Sequence, residues 1–278
     1  MILENKIKYA SKILKNNNIA SHQLDAEIIL SNILGVTREF LITNNNINIS
    51  KNIVSKYNLA IERRIKKEPI AYIIGKKEFW SENFIVNRST LVPRPETELL
   101  IYKVINFFKN KRINILDIGT GSGCLLLSVL KELSLARGIG IDISSKAIKI
   151  AEINSRNLNL INKAKFRVCD LNKFYTGKYD LIISNPPYIP SKDIKNLTKD
   201  IINYEPKSAL DGGIDGLDLI KKVIYKSTYL LKNNGLLTLE IGFNQYKSVS
   251  KILKHYRFRK IGKVYDFNHN VRCIISTR

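Results

Sequence analysis

The chain has 278 residues, with 46 Lys and Arg against 24 Asp and Glu and a formal net charge of +22. At roughly 100–200 residues per domain, that length fits two domains or one large domain with an appendage, and a hydrophobic share of 44% excludes a disordered basic tail protein. No run of about 18 apolar residues occurs, which excludes a membrane-spanning helix, and the N-terminal stretch carries no apolar core with a small-residue cleavage site, so no secretory leader is expected. Residues 1–66 read as helical. Leu3, Ile7, Ala10 and Leu14 fall on one helical stripe with Lys6, Lys8, Lys12 and Lys15 elsewhere on the turn. That stripe suits a core-facing helix better than a membrane-surface one. A second apolar run, 26–34, stops at Gly35, a plausible C-cap, and a third, 53–65, ends before Pro69. Around 79–86 the pattern changes to period two, which predicts a hairpin. From residue 113 strand and helix alternate: strand 113–118, helix 124–133, strand 138–143, a helix capped by Ser144 or Ser145 and running to 157, then strands 165–169, 179–184, 236–241, 258–264 and 271–276. Such an order predicts a mostly parallel sheet covered on both faces, with an antiparallel edge where the last two strands follow each other directly.

Charge and cysteine content narrow the function less than they promise. Residues 1–80 carry a net +6 and residues 81–278 a net +16, nearly equal per residue, so no basic arm stands out. Lys, Ile and Asn, all with AT-rich codons, dominate the chain, and base composition writing Lys onto solvated surfaces is preferred to a polyanion footprint. Cys124, Cys169 and Cys273 are too far apart for a disulfide framework or a zinc site and point to a reducing compartment. His22, His255 and His269 are too few to favour histidine catalysis or a multi-histidine metal site.

Two stretches carry chemistry. Gly119-Thr120-Gly121-Ser122-Gly123 lies between a strand and a helix, where glycines allow a sharp turn and close approach to a ligand. Its G-x-G-x-G spacing is neither the dinucleotide fingerprint nor a phosphate loop. Asp142, at the end of the next strand, can accept hydrogen bonds from both hydroxyls of a ribose, or serve as a loop or helix-cap acid. Asp170 follows the third strand, where it could meet an adenine edge; a surface turn acid is the stronger reading from the residues alone. Asn185-Pro186-Pro187-Tyr188 follows the strand 179–184, at the carboxyl end of the sheet. Two prolines fix the backbone and remove amide donors, so the turn offers acceptors: the Asn185 side-chain oxygen and the Pro186 carbonyl. Such a pair can hold a planar NH2 group by both hydrogens, with Tyr188 stacked on its face.

This order of motifs resembles the class I S-adenosylmethionine-dependent methyltransferases that act on planar NH2 nitrogens, adenine-N6 and glutamine-N5 enzymes among them. Leu91-Val92-Pro93-Arg94-Pro95-Glu96-Thr97-Glu98-Leu99-Leu100 resembles the signature of the HemK/PrmC family, which methylates the Gly-Gly-Gln glutamine of peptide-chain release factors. Tyr204-Glu205-Pro206, Ala209-Leu210, the segment 212–217, Glu240-Ile241-Gly242 with Gln245, and the N-terminal Asp25-Ala26-Glu27 and Leu34-Gly35 resemble it too. In the sister family acting on a ribosomal protein the stretch after Arg94 differs, which favours release factors. Two departures concern local turns: Ser81-Glu82 lacks an expected glycine, and so does Asp266-Phe267-Asn268-His269-Asn270.

The resemblance implies a seven-stranded, mostly parallel α/β sheet with helices on both faces plus a small N-terminal helical domain. It implies a substrate-binding domain at 1–75, a connecting hairpin at 76–95 and a catalytic domain at 96–278. S-adenosyl-L-methionine is the implied cofactor, held by Gly119, Thr120, Gly121, Ser122, Gly123, Asp142, Asp170, Leu171 and Asn185. Asn185, Pro186, Pro187 and Tyr188 are the implied catalytic and substrate-binding residues, with no metal. A release factor is the expected partner, with a monomeric, cytoplasmic enzyme and neither a membrane nor a nucleic acid as partner. The rivals are an adenine-N6 nucleic-acid methyltransferase, which would need a target-recognition region not found here, a ribosomal-protein glutamine methyltransferase, and a non-catalytic binding module, against which the intact motifs count. Cys124, at a helix start, could be a reactive thiolate, although a small core residue is preferred.

Overall fold

The structure, a computed structural model, describes residues 2–266 and 268–278. Phe267, in the second of the two departing turns, lies outside them. The chain forms two units, the first comprising the residues up to Gly75 together with Thr198–Tyr204, the second the remainder.

In the first unit α1 (Leu3–Asn16), α2 (His22–Leu34), α3 (Arg38–Thr43), α4 (Lys51–Ile65) and α5 (Ile70–Ile74) follow in order. Leu3, Ile7, Ala10 and Leu14 are buried and share a core with Ile29, Leu30, Leu41 and Tyr57, so the stripe faces protein. Gly35 ends α2 in a left-handed conformation, and Thr37 and Ser50 accept the backbone N–H groups of Phe40 and Ile53 to start α3 and α4. The Asp25-Ala26-Glu27 run is a set of cross-links. Asp25 receives Arg64 at 2.6 Å, the Ala26 carbonyl receives the Tyr57 hydroxyl at 2.9 Å, and Glu27 pairs with Arg38 at 2.6 Å. The short α3 and α5 escape the periodicity because five or six residues span less than two turns.

The second unit opens with the hairpin β1 (Lys76–Phe79) and β2 (Glu82–Ile85). Trp80 and Ser81 form its turn with φ of +51° and +58°, the left-handed pair that glycine normally eases. The missing glycine therefore leaves the turn type intact at a cost of roughly 1 kcal/mol or more per residue. Hydrogen bonds from the Trp80 backbone and indole N–H groups to Glu98 and Glu132 hold the turn in place.

There follow α6 (Pro95–Phe108), β3 (Asn114–Ile118), α7 (Cys124–Glu132), β4 (Arg137–Asp142), α8 (Ser145–Asn157), β5 (Ala164–Val168), β6 (Tyr179–Ser184), α9 (Lys199–Tyr204, in the first unit), α10 (Asp218–Leu230), β7 (Leu231–Glu240), α11 (Tyr246–His255), β8 (Arg259–Tyr265) and β9 (Val271–Thr277). The sheet order is β5-β4-β3-β6-β7-β9-β8, parallel through β7, with β9 antiparallel to both neighbours. Alternate residues of a strand enter opposite cores. Ile115, Leu181 and Ile183 pack with α6 and α7, whereas Leu116 and Ile182 pack with α10 and α11. Burial on both faces is why these strands read as unbroken apolar runs. β7 starts earlier than the expected 236 because Leu231 pairs with Tyr179 across a register shift, and the intervening Lys232, Asn233 and Asn234 hide that start. The carboxyl ends of β3, β4, β5, β6 and β7 bring Gly119, Asp142, Asp170, Asn185 and Glu240 to one edge of the sheet.

Candidate active site

The loop after β3 is shaped by its glycines. Gly119, Gly121 and Gly123 have φ of +74°, +55° and +79°. A Cβ on Gly119 or Gly121 would meet nothing within 4 Å, so the backbone there stands bare. Gly123 has a different role: its Cβ would press on Ala151, Leu127 and Phe166 at 3.1–3.3 Å, so that glycine allows α7 to pack. The Gly119 and Thr120 N–H groups donate to the Ile141 carbonyl, at 2.9 and 3.0 Å, and fix the loop to β4. Beneath it lies Asp117, whose carboxyl accepts the Thr120 hydroxyl at 2.6 Å and is raised to about 7 by burial.

Asp142 accepts the Gly121 N–H at 3.0 Å on one oxygen and the Ser144 N–H at 2.9 Å on the other, while Ser144 caps α8. It therefore acts as a loop acid and still has carboxylate lone pairs to offer. Asp170 likewise accepts the Asn172 N–H at 2.8 Å, which makes it a turn acid on the wall of the same cavity. That cavity measures about 330 Å³. Its walls include Gly119, Thr120, Gly121, Ser122, Asp142, Asp170, Leu171, Asn185 and Pro187 from the expected set, whereas Gly123, Pro186 and Tyr188 stand just outside it. The exposed side chain of Ile143 adds an apolar surface. A bare backbone, a carboxylate with free lone pairs and an apolar wall, in a cavity of small-molecule size, fit a nucleoside-bearing cofactor. Among the described residues no cluster of three or more His, Cys, Asp or Glu could hold a metal.

The turn after β6 is supported by side chains. The Ser184 hydroxyl donates to the Ile118 carbonyl at 2.7 Å and joins the ends of β6 and β3. Asn185 donates its Nδ2 to Thr97 Oγ1 at 3.3 Å, and the Thr97 hydroxyl lies 2.6 Å from Glu240 Oε2. The Tyr188 hydroxyl donates to Glu240 Oε1 at 3.2 Å and accepts from Arg272 Nη2 at 2.9 Å, with Arg272 stacked over its ring. Glu240 is fully buried, which pushes its carboxyl up, while Thr97, Arg272 and Tyr188 pull it down. Burial and the same carboxylate push the Tyr188 phenol well above its ordinary value. Gln245 clips the surrounding loops, donating to the carbonyls of Tyr188 and Gly216 at 2.9 and 3.1 Å and accepting the Gly242 N–H at 2.9 Å.

These contacts give physical content to the signature at 91–100. Arg94 pairs with the buried Glu205 at 2.5 Å, Thr97 joins Asn185 to Glu240, and Glu98 holds the hairpin. Arg94 thus makes a structural ion pair while lining the cavity. Cys124 is half-buried on the cavity wall, and desolvation pushes its thiol up to about 12, which favours the packing role over a thiolate. Glu240, Arg272 and Asn154 were not legible as site residues. Asn154 donates to the carbonyls of Ile85 and Ser122 and accepts the Ile85 N–H at 2.7 Å, tying β2 to the glycine loop. Glu240 stands in the family-like run Glu240-Ile241-Gly242 and closes the apolar run Leu236–Leu239, but neither signal gives it a role; nothing marks Asn154 within its helix.

The comparisons with known proteins cover both units. The family described as PrmC N-terminal domain matches residues 6–75, and a methyltransferase domain family matches residues 109–246. A release factor glutamine methyltransferase of Buchnera aphidicola subsp. Schizaphis graminum is 42% identical over 96% of this chain and 96% of its own. One from Clostridium acetobutylicum is 36% identical over 100% of this chain and 99% of its own. Among solved structures, a methyltransferase from Pyrococcus furiosus superposes with a TM-score of 0.53 at 14% identity, covering 82% of this chain and 98% of that one, a likeness of fold. The fold is that of the class I S-adenosylmethionine-dependent methyltransferases. Among the described residues no helix is long and apolar enough to cross a membrane.

Proposed function

The chain belongs to the release factor glutamine methyltransferase family, and from that premise we propose that it methylates N5 of the Gly-Gly-Gln glutamine of peptide-chain release factors at the Asn185-Pro186-Pro187-Tyr188 turn. The observation that carries this reading is that Asn185 and Pro187 share one cavity with the bare glycine backbone and Asp142. S-adenosylmethionine, when bound, supplies an electrophilic methyl group on a sulfonium sulfur. Gly119, Thr120, Gly121 and Ser122 would form its cradle, with Gly123 supporting the loop by letting α7 pack behind it, Asp142 would accept the ribose hydroxyls, and Asp170 and Leu171 would flank the base.

An amide nitrogen is a weak nucleophile because its lone pair is delocalised into the carbonyl. Asn185 Oδ1 and the Pro186 carbonyl accept its two N–H groups, orient the lone pair and stabilise the positive charge that nitrogen acquires. Tyr188 packs against the amide plane. The methylated nitrogen sheds its proton to water afterwards, so no general base is assigned. Residues 1–75 grip the release factor, 76–95 connect, and 96–278 carry the chemistry, in a monomeric cytoplasmic enzyme whose substrate is a protein.

The test is mass spectrometry of the Gly-Gly-Gln peptide from a release factor incubated with enzyme and S-adenosylmethionine, beside parallel incubations with DNA and with ribosomal protein. One added methyl on the glutamine is expected. A methyl on adenine or on a ribosomal glutamine, with the release factor unmodified, would overturn the reading.

A further inference from the structure

Two hydrogen-bond chains meet on Glu240. One runs from Asn185 Nδ2 through the Thr97 hydroxyl to Oε2, the other from Arg272 Nη2 through the Tyr188 hydroxyl to Oε1. Each chain has a direction. A guanidinium only donates and an ionised carboxylate only accepts, while threonine and tyrosine hydroxyls each have a single proton. With Glu240 accepting at both ends, the one proton of Thr97 points to Oε2, and its oxygen can only accept from Asn185. The Asn185 amide is thereby set with Nδ2 toward Thr97 and Oδ1 away from it, and Asn185 lines the cavity. The single proton of Tyr188 is committed in the same way. Glu240 is 0% exposed, so no water competes for its oxygens, and Arg272 stands 3.7 Å away as counter-charge.

We propose that Glu240 is a positioning residue that fixes which end of the Asn185 amide faces the reaction, keeping an oxygen rather than an NH2 toward the substrate nitrogen. The inference rests on the role proposed for Asn185. A substrate NH2 needs acceptors; an amide turned the other way would meet it donor to donor. Carboxylate and carboxamide have the same shape, so Glu240→Gln changes the direction of the chains with little change of volume. A carboxamide offers one donor end, and one of the two hydroxyls must then turn its proton away. The Arg272 guanidinium, 3.7 Å from Oε1, keeps the carboxamide oxygen at that end, so the donor end meets Thr97, whose proton then goes to Asn185, and the amide flips.

The experiment measures kcat, the KM for release factor and S-adenosylmethionine affinity for Glu240→Gln, Thr97→Val and Thr97→Ser, each checked for folding by its melting temperature. Glu240→Gln and Thr97→Val are expected to lower kcat on the order of 10²-fold, with cofactor affinity held within about threefold. Thr97→Ser, which keeps the hydroxyl, is expected to recover most of what Thr97→Val loses. The double variant Glu240→Gln/Thr97→Val is expected to lose no more than the worse single one, because both act through one chain. Independently of any substrate, the Asn185 side-chain NH2 in the ¹⁵N-labelled enzyme is expected to show an Overhauser contact to the Thr97 methyl in the wild type and to lose it in Glu240→Gln. A folded Glu240→Gln enzyme with wild-type kcat and a retained Overhauser contact overturns the inference. Should that variant not fold, wild-type turnover by Thr97→Val does so. If the wild type leaves Gly-Gly-Gln unmodified, the acceptor assignment fails, while the Overhauser contact still decides the orientation.

Discussion

At the carboxyl edge of the sheet the loop after β3 meets the cavity with bare backbone, whereas the turn after β6 presents side chains held from behind by a buried carboxylate. The first end is assembled from neighbours in sequence: Gly121, Asp142 and Ser144 lie within 24 residues of one another. The second draws Thr97 from α6, Asn185 from the β6 turn, Glu240 from β7 and Arg272 from β9. A backbone cradle suits a ligand recognised by shape and by a few hydroxyls, and it tolerates adjustment. A side-chain network with a defined proton direction suits an acceptor whose two N–H groups must be met in one orientation. Binding and turnover should therefore respond separately to mutation at the two ends.

The strongest way to break that separation is Asn185→Ala. Turnover should fall on the order of 10³-fold, while the Kd for S-adenosylmethionine, read by calorimetry, changes far less. A rise in Kd matching the loss of kcat would mean that the two ends are one site. Asp142→Ala should do the reverse. Loss of the carboxylate that ties Gly121 to Ser144, and to which the ribose hydroxyls are proposed to donate, should weaken cofactor binding by about 10–100-fold, with kcat at saturating cofactor changed only severalfold.

A smaller effect, on stability rather than turnover, comes from Asp117 below the glycine loop. Its proton is held to about pH 7 in the fold but is released near 3.8 in the unfolded chain. Between those values the folded state binds more protons, so this residue's contribution to stability falls as pH rises, by up to about 1.4 kcal/mol per pH unit. Asp117→Asn should remove that slope, so that melting curves of wild type and variant diverge progressively from pH 4 to pH 7 and then run parallel. Curves that stay parallel throughout would mean that the carboxyl is ionised at low pH, and the cradle would then rest on a buried charge.

The same contrast explains what could be read in advance. The glycine loop, Asp142 and the Asn185 turn were legible because each is a short run whose residue types have a local reason, and the strands of the sheet were legible because burial on both faces leaves unbroken apolar segments. α10 has a weak signal in the sequence, for its buried Ile220, Val223 and Ile224 are interleaved with Lys221 and Lys222 and followed by polar residues. The support behind Asn185 was out of reach for a geometric reason. Thr97 and Glu240 are 143 positions apart, and only the pairing of β6 with β7 and the packing of α6 bring them to hydrogen-bonding distance. The hairpin turn taught the opposite lesson: a missing glycine at 80–82 suggested a changed turn, yet Trp80 and Ser81 adopt the left-handed pair regardless, because backbone and side-chain bonds to Glu98 and Glu132 hold it.

The place of β9 between β7 and β8 has a consequence for the making of the molecule. Synthesis delivers β8 before β9, so a nascent chain that has just completed β8 has no strand with which to pair it, and β7 still shows an open edge. Until β9 emerges, Glu240 also lacks the guanidinium of Arg272. The cradle after β3 is finished more than a hundred residues earlier. A ribosome-bound intermediate can thus have a formed glycine-loop end while the Asn185 end is incomplete, and the insertion of β9 seals the sheet and brings a counter-charge to the buried carboxylate in a single event.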